Sequence, residues 1–189
     1  MVNYLRIYKN FNLSKKDKGA IILIGNFDGL HKGHQKLFNK AKRFKKKFKL
    51  KIGVITFDPI PKMFFKQLNN YRLSNFDQKI QLLKKNYVDF IVNQKFNIRF
   101  SKISCHDFIK KILFNKIKPK YIFVSDNFRF GYKRAGDIKL LKSLEKDYDY
   151  KIINPSPLKS KKFIISSTLI RKNLEMGNLK KVKKFLGRN

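Results

Sequence analysis

The chain alternates apolar runs of strand length with segments of helical period, and this alternation constrains its fold most. AIILIGNF (20–27) is a continuous apolar run that stops at a glycine, which is typical of a buried strand. KIGVITF (51–57) and YIFVS (121–125) have the same character. Strands that alternate with helices connect into a parallel sheet that is covered on both faces. We therefore predict an α/β chain built on a Rossmann-like, doubly wound parallel sheet.

The segments between these runs predict the remaining elements. After Gly33, apolar residues recur on one face with lysines opposite, which indicates an amphipathic helix. Further helices are predicted over about 74–86, 104–117, 136–148 and the residues after SST, where Gly177 is well placed to end the helix. Shorter strands are predicted at 90–92, in KIINP and in FIIS just before SST, and FDPIPKMFF is predicted as a loop because of its two prolines.

The chain has 189 residues, 42% of them hydrophobic, which predicts a single domain over 1–189 with a small helical tail at its C-terminal end. It has neither a run of about 18 apolar residues nor an N-terminal signal-peptide pattern, so we predict a cytoplasmic protein without membrane contact. The net charge of +34 comes mainly from lysines spread along the whole chain. That spread favours solvent-exposed surfaces over a nucleic-acid-binding surface. The sequence leaves the oligomeric state open.

Four blocks of unusual sequence follow predicted strands. They are residues 25–34, 58–65, 126–131 and 166–171. In a parallel α/β sheet, ligands bind beyond the carboxyl ends of the strands. We therefore predict that the four blocks form one composite site.

The first block, GNFDGLHKGH, suits a phosphate group. Gly25, Gly29 and Gly33 allow a tight turn and a close approach of the backbone to a ligand. A helix that begins near Gly33 offers free N–H groups and a positive dipole end. His31 and His34 are three residues apart and can face the same anion.

A zinc site is the rival interpretation of these histidines. Zinc needs a third or fourth protein ligand, and Cys105 and His106 are the soft ligands that remain. Both lie at the start of an ordinary predicted helix, so we predict no metal site made by His31 and His34.

Two further blocks can contribute to nucleotide binding. Ser166, Ser167 and Thr168 precede a helix that carries Arg171, and hydroxyl groups with a guanidinium can hold a polyphosphate. Read alone, SST is simply a good helix N-cap. In SDNFRFG (125–131), an amide can bind a phosphate or ribose and the phenylalanines can flank a flat ring, although a core edge with a turn glycine explains that block equally well.

Four motifs in order carry a family resemblance. GNFDGLHKGHQKL, TFDPIPKMFF, SDNFRFGYKRAGD and ISSTLIRKNLEMGNL, followed by LGRN, resemble the FMN adenylyltransferase module of the bacterial bifunctional riboflavin kinase/FAD synthetase family. That module belongs to the HxGH nucleotidylyltransferase superfamily. The resemblance begins near residue 18 and covers nearly the whole chain. HxGH alone is shared with other adenylyltransferases and with class I tRNA synthetases, whereas FDG, FDPxP and FRFG together are more discriminating.

The resemblance implies transfer of AMP from ATP to FMN, which gives FAD and pyrophosphate with Mg²⁺ as cofactor. The catalytic residues that it implies are His31, His34, Asn127 and Arg171. The ATP contacts that it implies are Gly25, Phe27, Asp28, Gly33, Ser167 and Thr168. The flavin contacts that it implies are Asp58, Phe65 and Phe130.

The sequence departs from the family pattern at three positions. Ile60 stands where the family usually has the histidine of FDPHP, Ser125 where glycine is common, and Ile164 where a basic residue often precedes ISST. Lys62 and Lys162 are the nearby cations that could substitute.

The family's riboflavin kinase module would begin just after LGR, so we expect that module, and riboflavin phosphorylation, to be absent. Two alternatives stay open. One is another HxGH adenylyltransferase, such as an enzyme acting on nicotinamide mononucleotide. The other is a basic nucleic-acid-binding protein on a decayed nucleotidyltransferase fold.

Overall fold

Within residues 5–66, 68 and 70–188, which the computed structural model describes, six parallel strands form one sheet. They are β1 (Arg6–Tyr8), β2 (Ile21–Ile24), β3 (Ile52–Asp58), β4 (Phe90–Lys95), β5 (Tyr121–Phe123) and β6 (Lys151–Ile153). Their order in the sheet is β1-β4-β3-β2-β5-β6. The direction of winding reverses between β2 and β5, as in doubly wound nucleotide-binding sheets. The predicted fold class is confirmed.

Most helices follow the predicted segments with shifted ends, whereas the short helices at Pro61–Phe65 and Ile98–Ser101 were not predicted. They are α1 (Lys32–Phe48), α2 (Pro61–Phe65), α3 (Phe76–Lys85), α4 (Ile98–Ser101), α5 (Cys105–Asp107), α6 (Ile138–Ser143), α7 (Ser167–Glu175) and α8 (Leu179–Leu186). α5 continues directly into a π-helical segment, Phe108–Ile117. Gly177 lies between α7 and α8 with φ +67°, as expected of a residue that ends a helix, and these two helices form the C-terminal tail.

Both faces of the sheet are buried, which explains the unbroken apolar run in β2. Ile22 and Ile24 pack into one core with the π-helical segment, whereas Ile21 and Leu23 pack into a second core with α1. Neighbouring side chains of a strand point to opposite faces. A strand whose side chains alternate between two cores therefore needs an apolar residue at every position.

The strand that precedes SST lies outside the parallel sheet, so its predicted place there was wrong. It is β8 (Phe163–Ile164), which pairs antiparallel with β7 (Lys159–Ser160). Phe163 and Ile164 are 65% and 49% exposed, and the run is too short to fill a place between two cores. The block 166–171 therefore reaches the site from a separate hairpin and not from a sheet strand.

Two other predictions differ from the structure, and one strand was missed. FDPIPKMFF contains the short helix α2, because Pro61 has a backbone angle that suits the first helical position. The helix predicted over 136–148 is limited to Ile138–Ser143, and turns follow it. β1 was not predicted, because a three-residue strand carries too little periodicity to identify.

Lysines cover the outer surfaces of the helices, as the spread of charge along the sequence predicts. Lys46 and Lys47 of α1 and Lys183 of α8 are examples of exposed side chains. Among the residues described, no helix combines the length and the apolar character that crossing a bilayer requires.

A buried carboxylate ties β1 to the rest of the sheet. The side chain of Asp17 is 3% exposed and accepts hydrogen bonds of 2.6 Å from Arg6, Tyr8 and Lys51. Burial alone would raise the pKa of this carboxyl group. The hydrogen bonds and charges of Lys51, Tyr8 and Arg6 outweigh burial and lower the pKa to about 2.

We predict that Asp17 makes folding sensitive to acid. Its pKa is lower in the folded state than the value of about 3.9 in the unfolded chain. The stabilisation is therefore present above about pH 4 and is lost as the pH falls towards 2. Because its cationic partners are partly solvated, we expect a contribution of roughly 1–2 kcal/mol. Urea unfolding of wild type and Asp17→Asn should differ by that amount at pH 6, and the difference should shrink as the pH falls from about 4 towards 2. A difference that does not change over this range would contradict the assignment.

Candidate active site

One cleft of about 890 Å³ opens at the carboxyl ends of β2, β3 and β5. All four predicted blocks contribute residues to its lining. The predicted site residues that line it are Gly25, Phe27, Asp28, His34, Phe65, Asn127, Phe130 and Ser167. The predicted site residues that lie outside its lining are His31, Gly33, Asp58, Thr168 and Arg171. The cleft is large enough for a ligand of nucleotide size.

The turn after β2 brings the two histidines together at the start of α1. Phe27 has φ +47° and Gly29 φ +71°, so the chain turns through left-handed conformations before the helix. His31 is the N-cap of α1, and its Nδ1 accepts a hydrogen bond of 3.3 Å from the backbone N–H of His34. The two rings stack with centroids 3.7 Å apart, and Phe27 packs edge-on against His34.

Both imidazoles are neutral near pH 7 in this environment. Burial lowers the pKa of His31 to about 4, although Asp28 opposes the shift. Burial, with smaller effects of His31 and Lys79, holds the pKa of His34 well below its usual range. The sequence predicted that both histidines face the same anion. His34 lines the cleft, whereas His31 is buried and lies outside the cleft lining.

Arg171 is held by Asp28 and does not line the cleft. Its guanidinium forms an ion pair of 2.5 Å with the Asp28 carboxylate. It also donates a hydrogen bond of 2.7 Å to the backbone carbonyl of Tyr71 and stacks on the Tyr71 ring. Asp28 is 3% exposed and also accepts from the backbone N–H groups of Leu73 and Ser74. The Asp28 carboxylate therefore connects the histidine turn, the loop before α3 and helix α7.

The hydroxyl block caps α7 and touches the histidine turn. Ser166 is the N-cap of α7 and accepts from the N–H of Leu169, which confirms the predicted capping role. Ser167 donates a hydrogen bond of 3.0 Å to the carbonyl oxygen of Asp28 and lines the cleft. Thr168 is exposed and lies outside the cleft lining.

Gly33 allows the histidine turn and the hydroxyl block to touch. A Cβ at this position would lie 2.8 Å from the carbonyl oxygen of Ile165 and 3.0 Å from Nδ1 of His31. We expect Gly33→Ala to lower the free energy of unfolding by about 1–3 kcal/mol, although alanine normally favours helices. Urea denaturation measures the change, with exposed Asn39→Ala on the same helix as control. Equal stability of the two variants would show that the close contact is not required.

Aromatic side chains in contact with one another form a wall of the cleft. The rings that line it are Phe57, Phe65, Phe96, Phe100, Phe108, Phe128 and Phe130. Phe65 is 66% exposed and has its ring 5.8 Å from that of Phe96. Phe130 is buried and stacks at 5.5 Å behind the more exposed Phe128. Such a wall suits a flat ring, and Phe128 presents more of its surface than the predicted Phe130.

Two of the predicted polar contacts differ in their availability. Asn127 is exposed in the cleft, where its Oδ1 accepts a hydrogen bond of 3.0 Å from Ser125. The Asp58 carboxylate pairs with Arg72 and lies outside the cleft lining. A flavin contact by the Asp58 side chain would therefore require that pair to open.

Several basic residues of the cleft were missed, because a chain with 46 lysines and arginines gives no reason to single them out. The missed residues that line the cleft are Lys66, Lys102, Arg129, Lys133 and Arg134. Lys62 was noted only as a substitute for the histidine absent at position 60. They give the cleft the positive charge that the neutral histidines do not supply.

The residues of the cleft suit a metal ion that arrives with a nucleotide. Within the described part of the chain, no group of three or more His, Cys, Asp or Glu side chains could hold a metal ion. The buried carboxylate Asp28 is already paired with Arg171. Magnesium in nucleotide sites takes many of its ligands from phosphates and water, so the absence of a protein cage is compatible with a Mg²⁺–ATP substrate.

Comparison with known families identifies this architecture. The model of the FAD synthetase family matches residues 13–169, which include all four motifs of the cleft up to Leu169. The chain belongs to the FAD synthetase family.

Individual members of the FAD synthetase family align over almost the whole chain. A bifunctional riboflavin kinase/FMN adenylyltransferase from Buchnera aphidicola is 40% identical over 94% of this chain and 57% of its own length. A FAD synthetase from Listeria monocytogenes is 31% identical over 92% of this chain and 71% of its own. The chain thus spans a little over half the length of the bifunctional relative.

A solved structure shares the backbone. The crystal structure of a macrolide-efflux protein from Streptococcus pneumoniae superposes with a TM-score of 0.83 at 27% identity. The match covers 98% of this chain and 62% of that one.

The three departures from the FAD synthetase pattern lie at different depths. Ile60 is 4% exposed and precedes α2, so its side chain adds to the core and not to the cleft. Ser125 orients Asn127, and Ile164 is exposed in the β7–β8 hairpin. Lys62 lines the cleft two residues after Ile60 and is the cation placed to replace a histidine there.

Proposed function

We propose that this chain transfers AMP from ATP to FMN, giving FAD and pyrophosphate. The observation that carries the proposal is one cleft that is lined both by the His34 turn with Ser167 and by an aromatic wall. Such a cleft suits one ligand with a phosphate chain and another with a flat ring. The names of two relatives, FMN adenylyltransferase and FAD synthetase, support the same reaction.

The reaction that we propose needs positioning more than acid–base catalysis. An oxygen of the FMN phosphate is already anionic at neutral pH and forms a bond to the α-phosphorus of ATP. The bond from that phosphorus to the bridging oxygen of the β-phosphate breaks, and pyrophosphate leaves with the electron pair. The protein aligns the reacting groups in line and stabilises the charge that grows on the transferring and leaving phosphates.

Each part of the cleft has a role in this proposal. His34 donates its ring N–H to the transferring phosphate, and the N-terminal end of α1 adds the positive end of its dipole. Ser167, Asn127 and Lys62 contact phosphates, and Phe65 and Phe128 bracket the isoalloxazine ring. Mg²⁺ bound to ATP would neutralise part of the charge on the β- and γ-phosphates. Arg171 and Asp28 hold the histidine turn in place.

A cytoplasmic location of the protein remains a prediction.

A substrate panel tests the proposal. The protein is incubated with Mg²⁺–ATP and, separately, FMN, nicotinamide mononucleotide or riboflavin, and the products are separated by chromatography. We expect FAD from FMN, no dinucleotide from nicotinamide mononucleotide and no FMN from riboflavin. The absence of FAD from the FMN reaction would refute the proposed function. FMN made from riboflavin would instead overturn the separate prediction that residues 1–189 lack kinase activity.

A further inference from the structure

A lysine of α3 is buried and contacts a strand that ends at the cleft. Lys79 of α3 is 4% exposed, and its Nζ lies 3.4 Å from the hydroxyl oxygen of Thr56 on β3. Within the residues described, no carboxylate oxygen lies within 4.0 Å of this Nζ. Lysines are almost never buried in this way unless they are paired. Lys79 was not singled out from the sequence, and the mechanism above does not use it.

A short relay of hydrogen bonds connects Lys79 to the turn that carries the cleft residues. The Lys79 amino group donates to the Thr56 hydroxyl, which in turn donates to the carbonyl oxygen of Asn26 at 3.3 Å. Thr56 is fully buried, and Asn26 lines the cleft directly after β2. The Asn26 carbonyl therefore accepts its hydrogen bond from Thr56, and the Thr56 hydroxyl is in turn held by the donor on α3.

Charged groups surround Lys79 at longer range. Burial lowers the pKa of its amino group, Asp28 and Asp58 oppose that shift, and Arg72 adds to it. Burial lowers the pKa of the His34 imidazole, and the charges of the stacked His31 and of Lys79 add to that effect. A cation at Lys79 thus helps to keep His34 in the neutral form that can donate a ring N–H.

Lys79 is difficult to explain by stability. Removing an amino group from water costs free energy, and one long hydrogen bond to a neutral hydroxyl recovers little of it. An apolar side chain of similar volume would fill the same space without that cost. A costly group that is linked through Thr56 to a turn of the cleft is what a site requirement would produce.

We propose that Lys79 is a positioning residue for adenylyl transfer, which acts through Thr56 on the turn at Asn26 and through its charge on His34. The inference rests on the proposed function. It predicts that removing the amino group impairs the reaction and leaves the fold at least as stable as before.

The test compares Lys79→Met with Lys84→Met, an exposed position on the same helix. We expect Lys79→Met to lower kcat for FAD formation by about 10- to 100-fold, since small displacements of positioning groups have effects of this size. Its urea unfolding free energy should equal or exceed that of wild type, and Lys84→Met should match wild type in both. An unchanged kcat in Lys79→Met, or a kcat loss with a matching loss of unfolding free energy, overturns the proposal.

Histidine titration by NMR gives a readout that a merely structural lysine would not affect. The chain has three histidines, so the signal of His34 can be assigned by substitution. We expect the pKa of His34 to rise in Lys79→Met. Thr56→Val should instead lower kcat and leave the pKa of His34 unchanged. An unchanged His34 pKa in Lys79→Met overturns the electrostatic part of the proposal. If wild type forms no FAD, the proposed function fails and this titration still decides whether Lys79 acts on His34.

Discussion

His34→Ala is expected to lower kcat for FAD formation by about 10²–10³-fold, because it removes a donor aimed at the charge that grows in the transition state. His34 lines the cleft, and its ring is held by stacking on His31 and by an edge contact with Phe27. The donor is therefore preorganised, and its loss should affect kcat more than KM. Steady-state kinetics with saturating FMN and Mg²⁺–ATP measures the effect.

His106 provides the matched control for this substitution. It is exposed on α5 and lies outside the cleft lining. We expect His106→Ala to keep the kcat of wild type. Comparable kcat values for His34→Ala and His106→Ala would show that the first histidine does not contact the transferring phosphate.

Asp28→Asn is expected to have the largest effect on stability. The Asp28 carboxylate is 3% exposed and neutralises Arg171, whose side chain is only 14% exposed. Breaking a buried pair by neutralising one partner leaves an uncompensated charge, at a cost of about 3–5 kcal/mol. An asparagine would also turn its NH₂ group towards the guanidinium or towards the N–H groups of Leu73 and Ser74. Urea denaturation followed by circular dichroism measures the change.

Asp149→Asn is the control for charge removal as such. Asp149 pairs with Lys120 on the surface and is 88% exposed, so its loss should cost less than about 1 kcal/mol. In the double variant Asp28→Asn, Arg171→Met, the cost should be smaller than the sum of the two single substitutions, because no unpaired cation remains. Additive costs would contradict a direct ion pair between the two residues.

Local patterns in the sequence predicted the frame of the fold well. The buried strand β2, the helix after Gly33 and the N-cap at Ser166 each depend on neighbouring residues, so the sequence contains the signal that specifies them. The strand ends also predicted that blocks 25–34, 58–65 and 126–131 meet, because a parallel sheet places the carboxyl ends of its strands along one edge. Block 166–171 joins them from a hairpin outside the sheet.

Contacts between distant segments could not be predicted in the same way. Arg171 was expected at the phosphates, but it pairs with Asp28, 143 residues earlier in the chain. In the sequence, Lys79 cannot be distinguished from the many solvent-exposed lysines, and only the packing of α3 against β3 buries it. β7 and β8 depend on a hairpin whose apolar residues stay exposed. Side-chain partners in the site therefore follow from packing and not from spacing along the sequence.

The central claim is that the cleft between the histidine turn and the aromatic wall joins the AMP part of ATP to the phosphate of FMN. The most direct measurement uses ATP radiolabelled at its α-phosphate, together with FMN and Mg²⁺, and follows the label by chromatography. Our account predicts that the label appears in FAD in a 1:1 ratio with unlabelled pyrophosphate. Label that stays in ATP, or that is released as AMP without forming FAD, would contradict it.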